Sequence, residues 1–263
     1  MLIRQIPIRN SLSNYMYLLA CEETLESIAI DPLDHALCLQ VAKELGWSIK
    51  TVANTHHHHD HIGGNGPVIA ATGAQLVSHI GAMQSIPNVD RGLQAGDTLE
   101  CGEFSLEVMD TPGHTMSHIC LYFPGADSEQ PALFCGDTLF SAGCGRLFEG
   151  TPQQMYTSLA KLTTLPADTE VFCAHEYTMA NIAFAETVEP NNQALVDYKH
   201  WANKQRKKNT PTLPSSIQRE LAVNPFLRCH SAELVTNVSQ NMGSTLASEQ
   251  AVFASLRSWK DNF

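Results

Sequence analysis

Short apolar runs, each closed by a turn signal, dominate the first two thirds of the chain. Runs rich in β-branched and aromatic residues, bounded by Gly, Pro, Asn or Asp, are typical of β-strands. They predict strands at residues 2–8, 15–21, 27–30, 49–54, 98–101, 104–109, 118–123, 132–135 and 169–174. We expect these strands to form two sheets in a mixed α/β body.

Apolar residues with helical spacing occur between these runs. They predict helices at residues 32–45, 62–72 and 151–162. Gly46 closes the first helix, and Thr151 supplies the N-cap of the third. Residues 68–71 and 76–78 also fit short strands, and residues 81–96 show little periodicity and are predicted to form a loop.

Beyond about residue 177 the strand signals vanish. Helices are predicted at residues 179–188, 191–208, 215–223 and 244–259, with prolines between them. The pattern therefore predicts an α/β domain at residues 1–176 and an α-helical C-terminal domain at residues 177–263.

The charge of the chain restricts its partners. The 263 residues carry 27 acidic and 16 basic side chains, for a formal net charge of −11. A chain this acidic repels phosphate backbones, so we expect no nucleic-acid partner. No apolar run reaches the roughly 20 residues that a membrane-spanning helix needs, so we expect no membrane partner.

The cysteines and the N-terminal residues indicate a compartment. The eight cysteines are scattered through apolar segments and form no Cys-x-x-Cys pair. We therefore expect buried free thiols in a reducing cytosol. The first residues lack the apolar core of a secretory signal, which also favours a cytoplasmic protein.

The most distinctive stretch is a histidine loop at residues 55–61, where five of the twelve histidines fall within six positions. On extended backbone, alternate side chains point to the same side, so His56 and His58 can reach one metal. Asp60 and His61, on the turn into the next helix, can reach a second metal. His57 and His59 would then face away. Because the run is internal and follows a buried strand, it does not fit an expression tag.

Three later positions can complete such a site. His114, Asp137 and His175 each follow an apolar strand, which is the arrangement that a site at one edge of a sheet requires. His118 is predicted to support the site without binding metal. The remaining histidines have no ligand-like context: His35, His79, His200 and His230. Imidazole and carboxylate ligands suit zinc, iron or manganese.

These motifs resemble the metallo-β-lactamase superfamily and, within it, the glyoxalase II (hydroxyacylglutathione hydrolase) family. The superfamily signature is the His-x-His-x-Asp-His loop followed by separated His, Asp and His. The narrower resemblance covers nearly the whole chain and rests on stretches at residues 14–17, 55–64, 111–115, 136–140, 143–146, 175–178 and 224–226. It implies an αββα four-layer sandwich with an α-helical C-terminal domain.

The resemblance also implies a ligand set for two divalent ions, with zinc expected before iron or manganese. One ion would be held by His56, His58 and His114. The other would be held by Asp60, His61 and His175. Asp137 would bridge both ions, and Asp60 and Asp137 are expected to take part in catalysis.

The activity implied by the resemblance is thioester hydrolysis. A hydroxide bridging the two metals would attack the carbonyl of S-D-lactoylglutathione and release glutathione and D-lactate, the last step of methylglyoxal detoxification. Paired metals lower the pKa of a bound water towards neutrality. A thiolate, with a pKa of about 8.5 as the free thiol, departs with little help from a general acid. We expect a monomer.

An acidic protein needs local positive charge to bind glutathione. Arg257 and Lys260 stand at i and i+3 near the C-terminus and share a helix face. The residues alone fit a solvated helix end, but the resemblance matches them to the pair that binds the glycine carboxylate of glutathione. It also assigns substrate binding to Arg146, where the family has Lys, to Phe148, where it often has Tyr, and to Tyr177.

Two alternatives remain open from the sequence. One is another enzyme of the same fold: a persulfide dioxygenase, a lactonase or a ribonuclease. The other is a non-catalytic metal-buffering or metal-sensing protein. The basic C-terminal pair favours a glutathione thioester over a lactone, and the negative charge disfavours RNA.

Overall fold

The computed structural model describes residues 1–125 and 129–263, which form two compact units. The first unit contains residues 1–110 and 116–136, and the second contains residues 111–115 and 137–263. These packing units do not test the predicted division into domains at residue 176, which remains a prediction.

The first unit contains a six-stranded sheet whose strands follow one another in chain order. Its strands are β1 (Leu2–Pro7), β2 (Tyr15–Ala20), β3 (Glu26–Ile30), β4 (Ser48–Ala53), β5 (Gln75–His79) and β6 (Arg91–Leu93). Strands β1 to β3 pair antiparallel, and β3 to β6 pair parallel. Strand β2 is buried along its whole length, as expected for a strand covered on both faces.

Two helices pack against this sheet. They are α1 (His35–Leu45) and α3 (Asn65–Thr72), and a short helix α2 (His59–Ile62) lies between them in the chain. The Asp34 side chain caps α1 by accepting the N–H of Leu37, and Gly46 ends it in the left-handed conformation that glycine adopts readily. The apolar faces of α1 and α3 share one core with the inner strands, which includes Leu18, Val52, Val68 and Leu76.

A second group of strands in the first unit forms an antiparallel meander. Its members are β7 (Thr98–Cys101), β8 (Phe104–Asp110), β9 (Ile119–Phe123) and β10 (Ala132–Gly136). The rings of Tyr17 on β2 and Phe134 on β10 meet edge to face, with centroids 5.5 Å apart. This contact joins the meander to the first sheet, so the unit has the helix–sheet–sheet order of a sandwich.

The second unit is mainly helical. Its short strand pairs are β11 (Leu139–Phe140) with β12 (Gly143–Cys144), and β13 (Glu170–Cys173) with β14 (Ser215–Ser216). Its helices are α4 (Pro152–Leu162), α5 (Thr178–Val188), α6 (Gln193–Lys207), α7 (Ile217–Val223), α8 (Ala232–Met242) and α9 (Glu249–Asp261). Thr151 and Gln154 form a reciprocal capping box at the start of α4.

A buried carboxylate fixes the turn between β11 and β12. Glu220 accepts the N–H of Ala142 at 2.8 Å and the hydroxyl of Ser141 at 2.9 Å. Ala142 has a φ of +55°, which is unfavourable for a residue with a Cβ and persists only when its surroundings hold it. Burial raises the pKa of Glu220. Strand β12 and Gly145 follow this turn and lead to Arg146.

Most predicted elements are confirmed, and the exceptions have local causes. The predicted loop at residues 81–96 contains β6, whose three residues include only one buried side chain. The prediction that strands end before residue 177 is wrong, because β14 consists of two serines and carries no apolar signal. Residues 68–71 are helical, not extended. The last helix begins at Glu249 instead of residue 244, and α8 was not predicted.

Gly64, at the start of α3, allows a close approach of two backbone segments. A Cβ at this position would lie 1.8 Å from the carbonyl oxygen of Pro32. Two residues later, Gly66 has open space, since a Cβ added there would meet nothing within 4 Å. The glycine requirement is therefore specific to Gly64.

We predict opposite effects for alanine at these two glycines. Gly64→Ala should lower the free energy of unfolding by about 1–3 kcal/mol or more, because the added methyl forces the backbone apart. Gly66→Ala should raise it by up to about 1 kcal/mol, because alanine favours helix. Chemical denaturation of the two variants measures both values, and an equal loss in both would contradict the proposed close approach.

Candidate metal centre

The histidine loop leaves the end of β4 and is held in place by backbone hydrogen bonds. The N–H of Asn54 donates to the carbonyl of Val77 at 3.0 Å, and the carbonyl of Thr55 accepts from the N–H of Ile119 at 2.9 Å. The side chains of His56 and His61 are almost completely buried. The loop is therefore a fixed part of the first unit.

The carboxylate of Asp31 organises this loop. Its Oδ1 accepts the N–H of Thr55 at 2.9 Å, and its Oδ2 accepts the Thr55 hydroxyl at 2.6 Å and His61 Nδ1 at 2.9 Å. An ionised carboxylate can only accept a hydrogen bond, so the nitrogen in contact with it must carry the proton. His61 therefore carries its proton on Nδ1 and presents the lone pair of Nε2.

The same network sets the protonation of His56. The Thr55 hydroxyl gives its proton to Asp31, so it accepts from His56 Nδ1 at 3.0 Å. The lone pair of His56 is therefore on Nε2. This nitrogen lies 3.1 Å from His58 Nδ1, so the two rings present nitrogens at neighbouring points.

Asp31 also lies close enough to be considered as a ligand. Donor atoms of Asp31, His56 and His61 lie within 4.8 Å of one another. Both oxygens of Asp31 already accept hydrogen bonds from the loop, however. We infer that Asp31 orients the histidines and does not bind metal itself.

Asp60 is held by a different residue. Asn14, at the start of β2, donates from Nδ2 to Asp60 Oδ2 at 3.0 Å and to the Asp60 carbonyl at 3.1 Å. The same Oδ2 lies 3.4 Å from His61 Nε2. The carboxylate of Asp60 and the lone pair of His61 thus converge.

The second unit holds the other three predicted ligands in one group. Asp137 is nearly buried, and its two oxygens face two different rings: Oδ2 lies 3.4 Å from His114 Nε2, and Oδ1 lies 3.3 Å from His175 Nε2. His114 Nδ1 donates to the carbonyl of Arg146 at 2.8 Å. Because a carbonyl can only accept, His114 presents the lone pair of Nε2 towards Asp137.

These separations match those of ligands that share a metal. Two ligand atoms about 2.1 Å from a tetrahedral metal lie about 3.4 Å apart. The contacts of Asp60 with His61, and of Asp137 with its two histidines, lie between 3.3 and 3.4 Å. Buried imidazoles with defined lone pairs, beside carboxylates, fit a divalent metal.

The other histidines of the loop region have different surroundings. His118 is fully buried and its ring stacks on His56, with centroids 5.0 Å apart. His59 is exposed at the first position of α2, and the ring of His57 contacts that of His58 edge to face. Within residues 1–125 and 129–263, neither His57 nor His59 belongs to a group of side chains whose donor atoms are close enough to hold a metal ion.

Two positioning residues were missed from the sequence. Asp31 follows β3 and has an unusual φ of +47°, and Asn14 is a buried polar residue before β2. A polar residue at the exit of a strand was the available signal for Asp31. That signal is not specific, because a single acidic residue before proline is also typical of a turn.

Two of the predicted substrate-binding residues, Phe148 and Tyr177, lie in the second unit beside two of the histidines. The ring of Phe148 meets that of His114 edge to face at 5.3 Å, and Tyr177 stacks on His175 at 4.7 Å. Phe148 is 64% exposed, so it offers an accessible apolar surface.

A cluster of charges, here called the basic cluster, consists of Arg146, Arg257, Lys260 and Asp261. Arg257 is only 4% exposed, donates to the Cys144 carbonyl at 3.0 Å and lies over the ring of Phe226. Lys260 donates to the carbonyl of Ala180 at 3.2 Å. The pKa of Lys260 is lowered to about 8, mainly by burial and to a smaller extent by the positive charge of the nearby Arg257.

Comparisons with known proteins cover both parts of the chain. A profile of the metallo-beta-lactamase superfamily matches residues 21–175, and one described as the hydroxyacylglutathione hydrolase C-terminus matches residues 176–263. The chain is 44% identical to the hydroxyacylglutathione hydrolase of Rhodospirillum rubrum over 261 residues, covering 99% of this chain and 98% of that protein. The chain belongs to the hydroxyacylglutathione hydrolase family.

Further comparisons agree with this family. The hydroxyacylglutathione hydrolase of Pseudomonas aeruginosa strain LESB58 is 43% identical and covers 95% of both chains. The crystal structure of ETHE1 from Myxococcus xanthus has a TM-score of 0.67 at 26% identity, covering 99% of this chain and 98% of that one. The predicted metallo-β-lactamase fold with a helical C-terminal region is thus confirmed.

The cysteines and the helices can also be compared with the sequence predictions. All eight cysteines are buried thiols outside any disulfide, as predicted. Among residues 1–125 and 129–263, no helix combines the length and the apolar character needed to cross a membrane.

We predict that Asp31→Asn weakens metal binding by about 10- to 100-fold, because His61 and Thr55 lose the carboxylate that sets their orientation. Asp34→Asn is the matched control, since asparagine also caps a helix and the Asp34 side chain accepts its hydrogen bond from the backbone of Leu37. Competition with a chromophoric chelator measures both affinities. Equal affinities in the two variants would contradict the role assigned to Asp31.

Proposed function

We propose that the protein hydrolyses S-D-lactoylglutathione to glutathione and D-lactate and thereby acts in methylglyoxal detoxification. The observation that carries this proposal is the 44% identity to a hydroxyacylglutathione hydrolase over almost the full length of both chains. The match to the C-terminal profile of the same family supports a glutathione thioester over a lactone or RNA.

We propose that seven residues hold two divalent ions, zinc before iron or manganese. One ion takes His56, His58 and His114. The other takes Asp60, His61 and His175. Asp137 would serve both ions, in keeping with its separate oxygens facing separate histidines in the second unit. When bound, such a pair supplies an activated water as nucleophile and polarises the thioester carbonyl.

The residues of the chain prepare the site before substrate arrives. Hydrogen bonds to Asp31, Thr55 and the Arg146 carbonyl keep the protons of three histidines on Nδ1, so each Nε2 lone pair stays available. Asn14 holds the carboxylate of Asp60 in one orientation. This preorganisation lowers the reorganisation that the reaction requires.

Substrate binding is assigned to the residues around the basic cluster. Arg146, Arg257 and Lys260 attract the carboxylates of glutathione, and Phe148 and Tyr177 offer ring surfaces beside two histidines. As water adds to the carbonyl and the C–S bond breaks, glutathione leaves as a thiolate without needing a general acid. We propose that residues 177–263 form the domain that supplies most of these contacts to a cytoplasmic, monomeric enzyme.

We predict that Asp137→Ala loses metal and activity together, because one carboxylate serves both ions. The loss in kcat should exceed about 1000-fold, with Asp168→Ala, at an exposed acidic residue, as the control. Elemental analysis and the rate of S-D-lactoylglutathione hydrolysis measure the two effects. Hydrolysis of S-D-lactoylglutathione by the metal-depleted variant would contradict the proposal. Hydrolysis of a lactone or RNA by the parent protein, or its uptake of oxygen with a persulfide, in place of thioester hydrolysis would also contradict it.

We also predict a pH dependence that comes from Lys260. Its pKa of about 8 means that it is charged below pH 8 and loses its charge as the pH rises. KM for the anionic substrate should therefore rise through pH 8–9 in the parent protein. Lys260→Arg stays charged in this range and should remove much of that rise, as measured from KM at constant ionic strength. An unchanged KM profile would argue against contact between Lys260 and substrate.

A further inference from the structure

The basic cluster contains one carboxylate to which the proposed function assigns no role. Asp261, in the last turn of α9, accepts from Arg257 Nη2 through Oδ1 at 2.9 Å. The same oxygen lies 3.6 Å from Arg146 Nε. One carboxylate oxygen therefore faces both arginines of the cluster.

The two arginines depend on Asp261 to different degrees. Arg257 is buried and has further contacts with the Cys144 carbonyl and the Phe226 ring, so its position is fixed by several groups. The Arg146 side chain is 63% exposed and its contact with Asp261 is long. An exposed pair of this kind contributes little and exchanges readily. Arg146 can therefore exchange Asp261 for an incoming anion.

The carboxylate also changes the charge of the cluster. Arg146, Arg257 and Lys260 carry three positive charges at pH 7, and Asp261 reduces the sum to two. A carboxylate of glutathione that approaches Arg146 must compete with a carboxylate already present. Because the thioester substrate and the glutathione product carry the same carboxylates, this competition weakens the binding of both molecules.

We propose that Asp261 is a positioning residue that aligns Arg257 and competes with the ligand carboxylate for Arg146, and so keeps glutathione binding weak enough for product release. The inference rests on the proposed function for the identity of the ligand. Its physical basis is that contacts made equally with substrate and transition state lower KM without raising kcat, and contacts to the glutathione carboxylates persist in the product.

The variant Asp261→Asn separates the two roles. Asparagine keeps an oxygen that accepts from Arg257 but carries no charge. We expect the KM for S-D-lactoylglutathione and the inhibition constant of glutathione to fall together by about two- to fivefold, the range for one exposed ion pair, with kcat not increased. The gain should shrink between about 0.05 and 0.5 M salt, because salt screens exposed charges.

A double-mutant cycle shows whether the effect passes through Arg146. In the Arg146→Ala background, Asp261→Asn should change both constants by less than about twofold, because the competing partner is gone. Asp197→Asn, at an exposed acid of α6, is the control for net charge and should leave both constants unchanged. A purely structural role for Asp261 would instead lower thermal stability and raise KM.

Direct titration with glutathione distinguishes failure of this inference from failure of the proposed function. Hydrolysis by the parent, with Asp261→Asn binding glutathione no more tightly, would overturn the role of Asp261 alone. Tighter glutathione binding by Asp261→Asn, with no hydrolysis by the parent, would overturn the proposed function and support the role of Asp261. An effect that persists in full in the Arg146→Ala background would overturn the competition for Arg146.

Discussion

The hydrogen bonds of the Asp31 carboxylate are the constraint on which the histidine loop depends. One carboxylate receives the backbone and hydroxyl of Thr55 and the ring of His61. Through Thr55 it also determines the proton position of His56. Burying a carboxylate costs free energy unless its hydrogen bonds are satisfied. This network therefore stabilises the loop and also sets the direction of the lone pairs of His56 and His61.

A backbone carbonyl plays the corresponding role in the second unit. The carbonyl of Arg146 fixes the proton of His114, while the side chain of the same residue belongs to the basic cluster. The turn that delivers Arg146 is held by Glu220 through Ala142 and Ser141. The proposed ligand His114 and the proposed substrate-binding Arg146 are therefore placed by one segment, so we expect changes in that segment to affect both metal and substrate.

The sequence was informative where a local pattern had a single structural meaning. Buried strands such as β2 and β4, and the capping box of α4, follow from apolar runs and turn residues. The separated residues His114, Asp137 and His175 were selected because each follows a strand, and they do lie together. Their role as ligands stays a prediction.

Features that depend on distant partners could not be predicted. A single acidic residue before proline, such as Asp31, is typical of a turn, and its function here lies in contacts with residues 55 and 61. Strand β14 contains only serines and forms through pairing with β13. The contact of Asp261 with Arg257 is a local i,i+4 pair, but its contact with Arg146 joins positions more than one hundred residues apart, and no local pattern records that contact.

We propose that two divalent ions, held by these histidines and carboxylates, are required for thioester hydrolysis. Elemental analysis of the purified protein beside its rate on S-D-lactoylglutathione tests it most directly. We expect two ions per chain, a rate that a chelator abolishes, and recovery when zinc, iron or manganese is restored. Tight metal binding without turnover, or hydrolysis that survives complete removal of metal, would contradict it.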